Sequence, residues 1–114
     1  MEQQIETLKT AYEYINNLKQ GIVTLVQYLQ EEKEKKACEM IPLVADGIEW
    51  VTEAIRLTYE AHKGNVSSRD ITEKLGEIVE ALENEDYVLV SDLFNYEILP
   101  ILEESQSQIK SIIE

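Results

Sequence analysis

The sequence predicts an all-α fold, and three observations carry that prediction. Apolar residues recur at spacings of three, four and seven over long windows. Gly and Pro number only 4 and 2 in 114 residues, too few for a turn-rich β fold. The 44% hydrophobic content is too high for a disordered acidic tail and is enough to build a core. The expected architecture is an antiparallel four-helix bundle, with a three-helix bundle and a kinked last helix as the alternative. Residues 1–114 suit a single helical domain, since one core usually serves roughly 100–200 residues.

The first helix is expected over residues 2 to about 32. Ile5, Leu8, Tyr12, Ile15, Ile22, Val26 and Leu29 form a near-heptad stripe, and Lys19, with Leu18 beside it, fills the position the series skips. Gly21 costs about 1 kcal/mol against Ala inside such a helix and marks a candidate close helix crossing. The apolar-free run Glu31-Glu32-Lys33-Glu34-Lys35-Lys36 holds the first turn, or an exposed helical end leading into it.

A second helix is expected over about 37–62. Ile41, Val44, Ile48, Val51 and Ile55 form one stripe; Leu43, Gly47, Trp50, Ala54 and Leu57 form another. Two stripes leave apolar surface over more than half the circumference, so this helix is either central or carries a partner surface. Pro42 fits only a first turn or a kink. The next break is Lys63-Gly64-Asn65-Val66-Ser67-Ser68, where Gly64 suits the residue after a helix C-terminus and Ser67 or Ser68 suits an N-cap. Asp70-Ile71-Thr72-Glu73 fits a capping box with Asp70 as the cap.

The third helix, about 69–83, places Ile71, Leu75, Ile78, Val79 and Leu82 on one face. Glu83-Asn84-Glu85-Asp86 is a polar turn with Asp86 as the next cap. The fourth helix, 87 to about 113, carries Val90, Leu93, Phe94, Ile98, Ile101, Leu102, Ile109, Ile112 and Ile113, and Pro100 predicts a kink near Tyr96 to Pro100. A strand over Tyr87-Val88-Leu89-Val90 is the competing reading there. Glu39-Met40-Ile41-Pro42-Leu43-Val44 echoes Glu97-Ile98-Leu99-Pro100-Ile101-Leu102, which raises a duplicated helical hairpin as one origin of the fold.

The charge excludes several functions. Ten Lys and Arg against 23 Asp and Glu give a net charge of -13, the wrong sign for binding nucleic-acid phosphate or an anionic membrane. Met1-Glu2-Gln3-Gln4 has no basic start and no apolar run follows it, and no stretch reaches the roughly 18 apolar residues of a membrane span. Cys38 is the only cysteine and cannot pair internally. The expected setting is a reducing cytoplasm.

No chemistry-bearing constellation stands out. General acid–base work would want a carboxylate or nucleophile placed against His62, but Glu60, two residues away, points elsewhere on a helix, and His62 is expected as an exposed residue in a last helical turn. Cys38, near Lys35 and Lys36, is expected as a small apolar residue at the start of a core stripe. Tyr59 stands where a Glu-x-x-His metal motif needs its carboxylate, and no calcium loop, phosphate loop or nucleophile elbow is present. Neither an enzyme nor a cofactor, metal or small-molecule substrate is expected.

The better functional signal is aromatic. Tyr12, Tyr14, Tyr28, Tyr59, Tyr87 and Tyr96 join Trp50, and such residues favour interfaces because they bring area and a polar handle with little entropy to lose. Trp50 lies on the second stripe beside Gly47 and Ala54, whose small side chains would let another helix approach; core and interface readings both stand for it. Residues 77–114 carry Lys110 as their only cation among many carboxylates, which is a solvated face or a lure for a basic partner.

Two segments add a resemblance. Glu83-Asn84-Glu85-Asp86-Tyr87-Val88-Leu89-Val90-Ser91-Asp92-Leu93-Phe94-Asn95-Tyr96-Glu97-Ile98-Leu99-Pro100-Ile101-Leu102-Glu103 and Ile41-Pro42-Leu43-Val44-Ala45-Asp46-Gly47-Ile48-Glu49-Trp50 resemble a family of small uncharacterised all-helical proteins of Gram-positive bacteria. The resemblance implies a helical domain of unknown function and no catalytic residues. By size, acidity and helical content the chain is also similar to flagellar export chaperones, a likeness of general character with no motif behind it.

The function expected is therefore a non-enzymatic cytoplasmic protein–protein interaction module, a chaperone or adaptor. It would hold a helical partner against Trp50, Leu43, Gly47, Ala54 and Leu57, and a homodimer is expected. The alternative is an acidic regulator or decoy that binds a basic protein through residues 77–114.

Overall fold

Helical periodicity alone accounts for the longest element. Leu8, Ala11, Ile15, Leu18, Ile22 and Leu25 step by alternate threes and fours and are all buried in α1, Glu2–Gln30. The computed structural model describes residues 1–114. After α1 come α2 (Glu34–Leu57), a single turn α3 (Tyr59–His62), α4 (Ile71–Glu83), α5 (Tyr87–Leu93), a π turn (Phe94–Ile98) and α6 (Leu99–Ile113). The fold is all-α, with no strand. The competing strand at Tyr87-Val88-Leu89-Val90 is helical, and the Asp86 carboxylate starts it by accepting the Leu89 N–H at 3.1 Å.

Segments 87–93, 94–98 and 99–113 follow without interruption as one rod. The kink expected at Pro100 takes the form of the π turn: Leu99 N–H donates to Phe94 O, five residues back. Proline has no N–H to offer the carbonyl four residues earlier and its ring collides with it, so a widened turn just ahead of Pro100 relieves both problems. Pro42, by contrast, lies well inside α2.

α1 packs against α2 on one side and against α5, the π turn and α6 on the other, while α4 packs against α5 and the π turn. The central helix is thus α1. The reason is the spread of its buried positions, which also include Val26 and Leu29 and serve two neighbours. α2 is not the central helix, and its second stripe is partly uncovered, with Leu43, Trp50 and Leu57 exposed. A 29-residue helix is about 43 Å long, which sets the long dimension of a 45 × 21 × 19 Å molecule. The radius of gyration is 14.6 Å, above the roughly 13 Å of a compact chain of this size. One continuous core of 26 buried apolar residues runs through it.

Two helix ends are closed by the same device. Lys33 N–H donates to Tyr28 O and Glu32 N–H to Leu29 O; Asp86 N–H donates to Ala81 O and Glu85 N–H to Leu82 O. These are Schellman motifs, and their left-handed residues are Glu32 (φ 61°) and Glu85 (φ 53°) where glycine is usual. The charged run 31–36 is therefore a turn of only three residues, with α2 beginning at Glu34. At the opposite end Lys63 and Gly64 both have positive φ, as the glycine foretold. Asp70 departs from its expected role: its φ is 65° and its side chain caps nothing. Ser67 Oγ accepts from Arg69 N–H at 3.1 Å, closing a local turn ahead of α4.

A polar latch fastens α6 across α1. Gln106 is 8% exposed. Its Nε2 donates to Tyr12 O at 3.1 Å and to Asn16 Oδ1 at 2.7 Å, and its Oε1 accepts from Lys19 Nζ at 3.0 Å. Lys19, the residue that interrupts the apolar series, is therefore the partner of a buried amide. On either side of Gln106, buried Ser105 donates to Ser67 O, and Gln108 Oε1 accepts from Ser67 N–H at 2.8 Å. These bonds anchor the 63–70 connection.

Candidate functional site

An apolar groove lies between α1 and α2. Tyr14, Asn17 and Gly21 form its α1 wall, Met40, Leu43 and Val44 its α2 wall, and Leu18 contributes between them. Its volume is about 240 Å³, below the roughly 300–1,000 Å³ typical of small-molecule pockets. It is suited to receiving a side chain.

The α2 wall continues as a solvent-facing row. Leu43 is 72%, Trp50 42% and Leu57 59% exposed, each seven residues from the next. Trp50 meets the Tyr14 ring edge-on, with centroids 5.2 Å apart and planes at 68°. It is thus half-covered from within the protomer, between the core and interface readings.

The five expected contact residues divide by size. Leu43, Trp50 and Leu57 face solvent, whereas Gly47 and Ala54 are buried. The close approach that Gly47 permits is to the chain's own α1. A Cβ there would lie 2.6 Å from Tyr14 Oη and 3.0 Å from Leu18 Cδ1. Gly21, expected at a crossing, is at none: a Cβ there would meet nothing within 4 Å, and its missing side chain leaves the groove open. The α1 wall was not foreseen as part of the site. The available signal was the seven-residue spacing of Tyr14 and Gly21, which matches that of Leu43 and Trp50.

His62 is not the exposed residue its position suggested. It is 3% exposed, and the 63–66 turn folds back over it. Its Nδ1 accepts from Gly64 N–H at 3.0 Å and Val66 N–H at 3.4 Å, so Nε2 carries the hydrogen and donates to Ile55 O at 2.8 Å. The imidazole is a staple for that turn, with both nitrogens committed to backbone. Cys38 is half-buried and packs against the core. No group of three or more His, Cys, Asp or Glu side chains converges.

Both the 77–114 segment and α2 carry a mixture of paired and unpaired carboxylates. Several carboxylates of 77–114 are paired: Glu77 and Glu97 with Lys74, Glu104 with Arg69, Glu114 with Lys110. The Glu77 carboxylate, with the charges of Glu77 and Glu97, holds the Lys74 ammonium above the ordinary lysine range. On α2, Arg56 hydrogen-bonds Glu53 and holds its carboxyl below the usual carboxylate range. Glu39 and Asp46 are exposed and take part in no ion pair. No helix is long and apolar enough to cross a membrane.

No curated protein matches the chain, and no solved structure does. A family does match, over residues 6–108 and so over both groove walls, the latch and the π turn. The chain belongs to that family, described as a domain of unknown function, DUF8042.

Proposed function

We propose that this protein is a non-enzymatic, cytoplasmic protein–protein interaction module, an adaptor or chaperone that holds a helical segment of a partner in the α1–α2 groove. In this reading α1, α2, α4 and the 87–113 rod work as an antiparallel four-helix bundle, a stiff frame for one docking face. The observation that carries the reading is the exposed heptad row Leu43, Trp50 and Leu57 beside an open apolar groove. Monomeric proteins scatter exposed apolar residues singly; a row beside a groove is the pattern that receives the apolar face of an amphipathic helix.

The test uses Leu43→Asp and Trp50→Ala in co-purification from the native host, with circular dichroism and thermal unfolding as controls. Proteins retained by the wild-type chain are expected to be lost with Leu43→Asp while helicity and the thermal transition stay put. Retention of the same proteins by a folded Leu43→Asp variant rejects the reading.

A further inference from the structure

We infer that the groove takes a basic amphipathic helix of a partner protein, an inference that rests on the reading above and adds the chemistry of the occupant. The observation is a second row on α2. Glu39, Asp46 and Glu53 are seven residues apart and all exposed, and each precedes a member of the apolar row by four. Residues four apart are neighbours on a helix surface. Helical geometry puts Met40, Gly47 and Ala54 on one flank of the apolar row, towards α1, and the three carboxylates on the other, towards solvent. A helix laid in the groove therefore meets an apolar floor and a negative outer edge.

The edge is free to be used where it matters most. Arg56 occupies Glu53, and Lys36, at the head of the apolar row, sits over the Tyr28 ring. Glu39 and Asp46, beside Leu43 and Trp50, take part in no ion pair; Lys35 lies one turn before Glu39, and Asp46 has no cation within a turn. Across the groove the exposed Glu13 is one turn from Asn17. The complementary partner carries apolar residues every seven positions and Lys or Arg flanking them. Leu43 to Leu57 spans about 21 Å, so roughly 15 partner residues engage the whole row. A second copy of this chain fits poorly: it would bring its own carboxylate row and its own net charge of -13 to the same face.

The test uses the full chain with two synthetic helical peptides of one apolar face, flanked by lysine in one and by glutamate in the other, with helicity matched by circular dichroism. Binding is followed by Trp50 fluorescence at low and high salt, and self-association by sedimentation. The lysine peptide is expected to bind at least about tenfold more tightly at low salt, with the margin shrinking as salt screens the edge. Glu39→Lys combined with Asp46→Lys should abolish that margin, and Leu43→Asp should weaken both peptides. Equal affinity for the two peptides, sensitive to Leu43→Asp, overturns the basic partner and keeps the groove. Binding of neither, or binding indifferent to Leu43→Asp, overturns the groove reading with it. Self-association lost in Leu43→Asp overturns the inference in favour of a second copy.

Discussion

The two long faces of α1 reverse the usual sorting of side chains in opposite directions. Towards α6 the molecule encloses a glutamine; towards α2 it leaves a leucine and a tryptophan in water. The glutamine is tolerated because its amide has three partners, from Tyr12, Asn16 and Lys19. The leucine has no comparable compensation within the protomer. Polar burial on one side is satisfied by partners within the chain, whereas the apolar exposure on the other is not covered by any part of it.

Substitution on the two faces should separate these roles. Gln106→Leu removes all three side-chain bonds of the latch, while Tyr12 O keeps its intrahelical partner and Asn16 is exposed to water, so a loss of about 2 kcal/mol is expected in urea unfolding. Trp50→Ala deletes the edge-on contact with Tyr14 and some buried area, for about 1–2 kcal/mol, with helicity retained. If Trp50→Ala proved costlier than Gln106→Leu, the α2 face would be core and the contrast would fail.

The two glycines sharpen the contrast along the groove itself. Gly21→Ala should stabilise by up to about 1 kcal/mol, since helix propensity improves and the new methyl meets nothing. Gly47→Ala gains the same propensity but must displace Tyr14 and press on Leu18, so its unfolding midpoint should fall below that of Gly21→Ala. Leu43→Ser is expected to change stability by no more than about 0.5 kcal/mol, because so much of the side chain is already in water.

The smallest effect concerns pH. Arg56 depresses the Glu53 carboxyl, so the pair favours the fold above the ordinary carboxylate range and that contribution is lost as pH falls through the lowered value. In Arg56→Gln the Glu53 carboxyl should titrate in the ordinary range by NMR, with the rest of the acid titration unchanged. An unaltered Glu53 titration would mean that the pair does not persist in solution.

Much of this arrangement was readable in the residues, and the exceptions have definite causes. The stripes of α1 and the 87–113 rod follow from their apolar spacing, and Asp86 behaves as the cap its position predicts. α2 starts three residues earlier than its sequence predicts, because in a run of uniformly good helix formers only the left-handed Glu32 marks the turn, and nothing in a glutamate announces that conformation. It ends earlier than predicted because Thr58 turns its hydroxyl onto Ala54 O and Ile55 O and so competes with the helix. His62 could not be placed from its own helix, since the N–H groups that hold it come from the turn beyond. At the groove, the Leu43, Trp50 and Leu57 row is legible as a heptad, whereas the Tyr14 and Gly21 wall belongs to a helix whose apolar stripe already accounts for a core face.

Periodicity is a property of one segment read alone, so the presence of the long helices and their apolar faces is written into the order of residues. Coverage of a face is a property of two segments. Which stripe of α2 met α1, why glycine and alanine went inward while leucine and tryptophan stayed out, and how Lys19 came to serve a buried amide 87 residues away were settled only when distant helices competed for the same surface. Close packing admits the small side chains where backbones approach and leaves the large ones at the edge, and that selection opens the groove.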